Sequence, residues 1–250
     1  MKAVMRELAQ ARRHHSTLPL FGFLRTEAIA PRDRLAFYPC MAPFVLALSD
    51  LNRFVFRDES SQDPHQELIN RHTYARDHQW PDYLDDLARL GLDRSVNSAQ
   101  GLRSYMNEDT RESRLLVPRL AQLVHGASAI EKLVVIEAME QAADVLSGLT
   151  TRIAARIRAD GGPELHALGR PTFGGEGAAV MHGLDQRVLE AITLTSLERL
   201  RCLDLAFRVF DLFADWAAEL LAYAKTALAQ RPTPRLIHSA HRSAVTGTTS

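Results

Sequence analysis

Residues 185–230 have the sequence DQRVLEAITLTSLERLRCLDLAFRVFDLFADWAAELLAYAKTALAQ, which contains neither proline nor glycine and decides the fold class. Its apolar residues recur mainly at spacings of three and four, which is the period of a helix with one buried face. They are Leu189, Ile192, Leu203, Phe207, Phe210, Phe213, Trp216, Leu220 and Tyr223. The stretch predicts one long helix, or two helices with a soft break near Thr193–Ser196.

The same helical periodicity recurs outward from this stretch, and no alternating strand pattern or Asn-Gly hairpin signal interrupts it. The clearest predicted helices are Met1–Arg13, an apolar helix from Ala30 to Arg57 kinked by prolines, a helix that begins at Asp63-Pro64, and Ser128–Leu149. In the last of these, Ser128 and Glu131 have the spacing of a capping box. We therefore expect an all-α protein, a single compact bundle of about seven to ten helices over residues 1–230. Residues 231–250 are predicted to be a polar, disordered tail.

Composition narrows the function classes. The chain has 250 residues, and its 30 Lys+Arg balance its 30 Asp+Glu. That balance argues against nucleic acid or an anionic membrane as the main partner, because both select a basic surface. We find no uninterrupted apolar run long enough for a membrane span and no secretion signal at the start. The only cysteines, Cys40 and Cys202, suit a packed role in a reducing cytoplasm.

Ten histidines are the one unusual count. Their densest cluster lies between Asp63 and Trp80 and includes His72 and His78. On an ideal helix these two lie about 120° and about 9 Å apart, so this segment supplies one or two ligands to a metal site completed elsewhere. The alternative is a partly solvated polar helix face. His14 and His15 are predicted to lie at the surface.

Two more segments carry candidate ligands. Glu137, Glu140 and Asp144 share one side of the predicted helix Ser128–Leu149, where they form either a site for a hard cation or a solvent-facing stripe. Glu176 and His182 lie in a glycine-rich segment, where a simple loop or helix cap is the alternative.

Three stretches together resemble the heme-oxygenase-like superfamily: Leu20–Asp58, Asn70–Gly91 and Ile136–Ala142. The resemblance covers roughly residues 18–225. The local sequence around His72–Gly91 is most similar to the iron-containing branch of heme-oxygenase-like diiron oxidases and oxygenases.

This resemblance implies a non-haem iron oxidase or oxygenase that acts with O₂ on a small molecule, amino-acid-derived or fatty-acid-like. The implied metal ligands are His78, His72 or Asp77, Glu140 with Glu137 as the other choice, and His182. Arg71 and Tyr74 are the implied substrate contacts. A cytoplasmic homodimer without nucleic-acid or membrane partners is the expected context.

The chain departs from the superfamily pattern in its third metal-binding helix. Ala179 stands where a carboxylate is usual, and Gly175, beside Glu176, stands where a histidine is usual. Two kinds of metal site are therefore compatible with the sequence. One holds two irons, and the other holds one iron bound by His72, His78, Glu140 and Glu176 or His182. The sequence is also compatible with a metal-free member of the fold, either a PqqC-type cofactorless oxidase or a small-molecule binding or partner protein. A helical interaction domain is the third possibility.

Overall fold

The computed structural model describes residues 1–74, 80–93, 98–169 and 188–230. Within these ranges the chain forms ten α-helices and no strand, so the prediction of an all-α bundle is confirmed. The helices are α1 (Lys2–His15), α2 (Pro19–Arg25), α3 (Pro31–Arg34), α4 (Ala42–Leu51), α5 (Pro64–Tyr74), α6 (Trp80–Leu90), α7 (Ser98–Tyr105), α8 (Arg111–Leu123), α9 (Ala129–Ala159) and α10 (Ser196–Ala229). The predicted tail, residues 231–250, lies outside the described residues.

The two long helices α9 and α10 pack against each other at the centre of the bundle. Each begins at a capping box, in which a hydroxyl accepts from a backbone N–H and a glutamate reaches back to the cap. Ser128 and Glu131 form the predicted box at α9, and Thr195 and Glu198 form an equivalent one at α10. These caps satisfy N–H groups that the first helical turn leaves unbonded. The soft break predicted near Thr193–Ser196 is thus a defined helix start.

Helices α1, α9 and α10 run in the same direction. The amino group of Met1, just before α1, donates a hydrogen bond to the carbonyl of Ile192, just before α10. Near the start of α10, burial raises the pKa of the Cys202 thiol to about 11, and the charges of Glu131 and of the N-terminal amine also act on it. The starts of all three helices therefore lie at one end of the bundle.

The apolar segment Pro31–Phe56 differs from the single kinked helix expected there. It divides into α3, a 3₁₀ turn at Tyr38–Met41, α4 and a π-helical turn at Asn52–Phe56. Pro39 lies in the first residues of the 3₁₀ turn and Pro43 in the first turn of α4, where a missing N–H costs no hydrogen bond. The prolines thus start new elements instead of bending one helix.

By length and composition alone, Pro31–Phe56 could cross a membrane, with a mean hydropathy of 1.2 in its most apolar window. Half of that window is buried inside the protein. This is weak evidence for a membrane span, since the core helix of a soluble protein passes the same test.

His15 was expected at the surface, and that prediction is wrong. Its side chain is buried, with 4% of the residue exposed, and its ring packs edge-on against Phe21 and Phe210. Burial, with the charge of His14 adding to it, lowers the pKa of His15 to about 4. The apolar face of α1 extends one turn further than its sequence pattern indicates.

Candidate functional site

The structure brings together two predicted metal-ligand residues that lie far apart in sequence. Nε2 of His72, on α5, is 2.9 Å from Oε1 of Glu140, on α9. The side chain of Glu140 is 5% exposed and that of His72 is 20% exposed. A carboxylate with so little access to water needs a charged or hydrogen-bonding partner, and His72 supplies one.

The packing of α5 explains this contact. Ile69 and Thr73, one turn apart, are 0% and 1% exposed, and the helix packs against α9. His72 lies on the same side of the helix as Ile69, since it follows Ile69 by three residues and residues at spacings of three and four share a face. The apolar stripe of α5 therefore presents His72 to Glu140.

The solvent-facing interpretation of α9 is wrong for Glu140. Glu140 is buried, and Glu137 and Asp144 are only partly exposed. The reason is that α1, α2, α3, α5 and α10 pack around this helix, which buries Glu140 and leaves Glu137 and Asp144 with partial access to water. Helical periodicity separates two faces of a helix but does not reveal that neighbours cover both.

A cleft of about 560 Å³ lies between α1 and α9, and Glu140 is one of its lining residues. Its polar lining contains the carboxylates Glu137, Glu140 and Asp144, the amide of Gln141 and the arginines Arg12, Arg13, Arg25 and Arg152. Met5, Ala9, Val145 and Leu149 give it apolar walls. Arg12 lies 3.8 Å from Asp144 across the cleft. The site is thus a cleft with apolar walls in which charged side chains of both signs come together.

The His72–Glu140 pair fits two neighbouring positions of an iron site. Imidazole nitrogens and carboxylate oxygens bind such metals at about 2.1 Å, so two ligands at a right angle lie about 3.0 Å apart. The measured 2.9 Å agrees with that separation and also with a direct hydrogen bond. Among the residues that the structure describes, no group of three His, Cys, Asp or Glu side chains is arranged to hold a metal.

The remaining predicted ligands cannot be placed beside this pair. Asp77 and His78 fall in 75–79, and Glu176 and His182 fall in 170–187, so all four lie outside the described residues. Of the two predicted substrate contacts, Arg71 is exposed on α5. Tyr74 is 52% exposed; its hydroxyl donates to Glu59, and Arg57 lies 4.0 Å from the centre of its ring.

Glu219 is a polar centre that the sequence reasoning missed. From α10 it accepts hydrogen bonds from the backbone N–H groups of Glu112 and Ser113, at 2.6 and 2.8 Å, and from the Ser113 hydroxyl. The indole of Trp216 donates to the same hydroxyl at 2.9 Å. The Cys40 thiol completes the network, and burial raises its pKa to about 12, which confirms its predicted packed role. The group therefore caps the start of α8.

Asp86 is the second missed residue. It is 0% exposed on α6, and its carboxylate accepts from the backbone N–H groups of His166 and Leu168, at 2.6 and 2.8 Å. Its signal is visible in the sequence, because Asp86 interrupts the apolar stripe of Tyr83, Leu87 and Leu90. A carboxylate in such a stripe is buried with partners.

A scan against protein-family models gives no match, and a search of curated proteins gives none either. The resemblance to the heme-oxygenase-like superfamily therefore stays a prediction.

Proposed function

We propose that this protein is a non-haem iron-dependent oxidase or oxygenase that acts with O₂ on a small molecule. The observation that carries the proposal is the 2.9 Å contact between His72 and Glu140. Organic substrates react only slowly with O₂ on their own. Bound iron(II) would activate the O₂ for this reaction.

The protein's own residues have three tasks. His72 and Glu140 provide a nitrogen and an oxygen ligand from two different helices, so the site depends on the packing of α5 on α9. The buried surroundings of Glu140 keep water from competing for its carboxylate. The cleft between α1 and α9 admits the substrate to the same carboxylate. Further ligands would come from His78, Asp77, Glu176 and His182, with Glu137 as the other choice on α9.

The test is the metal content of the full chain, purified after growth with added iron. We expect stoichiometric iron in the wild type and at least about tenfold weaker retention in His72→Ala and Glu140→Gln, because each loses one ligand. His65→Ala is the matched control: His65 is also on α5, but it bonds Asp63 at the surface. A wild type that holds no iron, or variants that hold as much as His65→Ala, would contradict the proposal.

A metal-free member of the same fold is the second candidate. It is favoured by the direct hydrogen-bond distance between His72 and Glu140, which suits an acid–base pair, and by the arginines in the adjoining cleft. There His72 would move a proton to or from the substrate while Glu140 orients its ring. A folded wild type that stays iron-free while His72→Ala loses substrate turnover supports this candidate instead.

The wider context remains proposed as well. Its elements are a small-molecule substrate, O₂, a homodimer and a cytoplasmic location. Light scattering on the purified full chain measures the assembly directly, and a monomer at micromolar concentration would contradict the dimer.

A further inference from the structure

The cleft between α1 and α9 has two ends of different charge. Because the two helices run in the same direction and Arg12 is level with Asp144, the order of residues along α1 matches the order along α9. Glu137 and Glu140 therefore lie at the end near Met5, and Arg152 lies about 18 Å further along the helix axis. Arg25 lies at that far end too, since its guanidinium donates to the carbonyl of Ser16.

Three arginines that line the cleft form no ion pair with a carboxylate among the described residues. Arg13 and Arg152 line the cleft, and neither forms an ion pair with any carboxylate whose position is described. Among the described residues, Arg25 donates hydrogen bonds only to the carbonyl of Ser16, which carries no negative charge. Among the described residues, these three exposed arginines are therefore outside any ion pair, whereas Arg12 of the same cleft lies beside Asp144.

We propose that Arg13, Arg25 and Arg152 bind an anionic group, a carboxylate or a phosphate, at one end of the substrate, while its other end reaches Glu140. The inference deepens the proposed function and rests on it for the identity of the reacting end. Guanidinium groups bind both anions through paired N–H donors, so the shared chemistry is an oxyanion. Between the ends, the substrate body would pass the apolar walls at Val145 and Leu149.

The experiment titrates the full-length protein at constant ionic strength with phenyl phosphate, benzoate and uncharged benzyl alcohol, followed by calorimetry. We expect at least one anion to bind at millimolar concentrations or below and benzyl alcohol not to bind. Arg13→Gln combined with Arg152→Gln should weaken that binding about tenfold or more, because each change removes a charged donor. Arg6→Gln is the matched control, as Arg6 is an exposed arginine of α1 that does not line the cleft.

Each outcome decides the inference. Tighter binding of phenyl phosphate or of benzoate identifies which anion the arginines prefer, and both results support the site. Absence of binding by both anions, an unchanged double variant, or an equal loss in Arg6→Gln would overturn it. Iron content separates this result from the proposed function: the double arginine variant should keep its iron, and His72→Ala should keep its affinity for the anion. A wild type that holds iron but binds neither anion would contradict the anion site and leave the proposed iron site standing.

Discussion

The buried imidazole of His15 links folding stability to pH. The folded protein lowers the pKa of His15 to about 4, whereas an unfolded histidine titrates near 6.5, so the folded state binds fewer protons between these values. The stabilisation is complete above pH 6.5 and is lost as the pH falls toward 4. At pH 4.5 the loss amounts to about 2–3 kcal/mol.

Denaturant unfolding at pH 7 and pH 4.5 measures this effect. His15→Leu should show a fall in unfolding free energy that is smaller than the wild-type fall by that amount, because leucine does not titrate. His125→Gln, a change at an exposed histidine that does not act on the pKa of His15, should behave as wild type. Parallel pH profiles for His15→Leu and wild type would contradict the assignment.

The carboxylate of Glu219 stabilises the start of α8. Its carboxylate accepts two backbone N–H groups of α8 and the Ser113 hydroxyl, so Glu219→Gln replaces one acceptor oxygen with an amide donor. We expect a loss of about 2–3 kcal/mol in unfolding free energy. Asp215→Asn, an exposed carboxylate one turn earlier on α10, should change stability by no more than about 0.5 kcal/mol. Equal effects of the two changes would show that the cap contributes nothing.

At the scale of elements, α6 holds the segment that follows α9. The carboxylate of Asp86 accepts from the N–H groups of His166, which is half-buried, and Leu168, which is buried, so Asp86→Ala leaves both donors without this acceptor. We expect faster hydrogen exchange at these two amides and a loss of about 2–4 kcal/mol. Asp85→Asn, on the exposed face of α6, is the control. Unchanged exchange at residues 166 and 168 would contradict this role.

Elements that depend on local chemistry could be predicted from the sequence, and elements that depend on neighbours could not. Ser128 and Glu131 predict the start of α9 from the sequence, because a capping box involves only four consecutive residues. The division of Pro31–Phe56 into four pieces and the burial of Glu140 on α9 are set by tertiary packing. Periodicity carries no information on how many neighbours a helix has, which is why the stripe of Glu137, Glu140 and Asp144 was open to two interpretations.

At the scale of the whole molecule, the pairing of His72 with Glu140 required more than spacing. Local geometry left each residue with a solvated alternative, and only the resemblance to a fold that joins these segments gave a reason for them to meet. The cleft and its arginines had no such signal, because Arg13, Arg25 and Arg152 converge only when α1 and α2 lie against α9. Sites assembled from several helices are therefore visible in a sequence only as scattered candidates.

The contact between His72 and Glu140 also ties α5 to the centre of the bundle, and a double-mutant cycle measures that link. His72→Ala leaves a buried carboxylate without this partner, and Glu140→Ala removes the acceptor, so each single change removes the same contact. With metal removed by a chelator, we expect the double variant to be less destabilised than the sum of the single changes by about 1–3 kcal/mol. The solvent-accessible pair of Asp63, just before α5, and His65, on α5, should couple by less than about 1 kcal/mol. Additive effects at His72 and Glu140 would mean that the two side chains do not stabilise each other, and the observation that carries the proposed site would be lost.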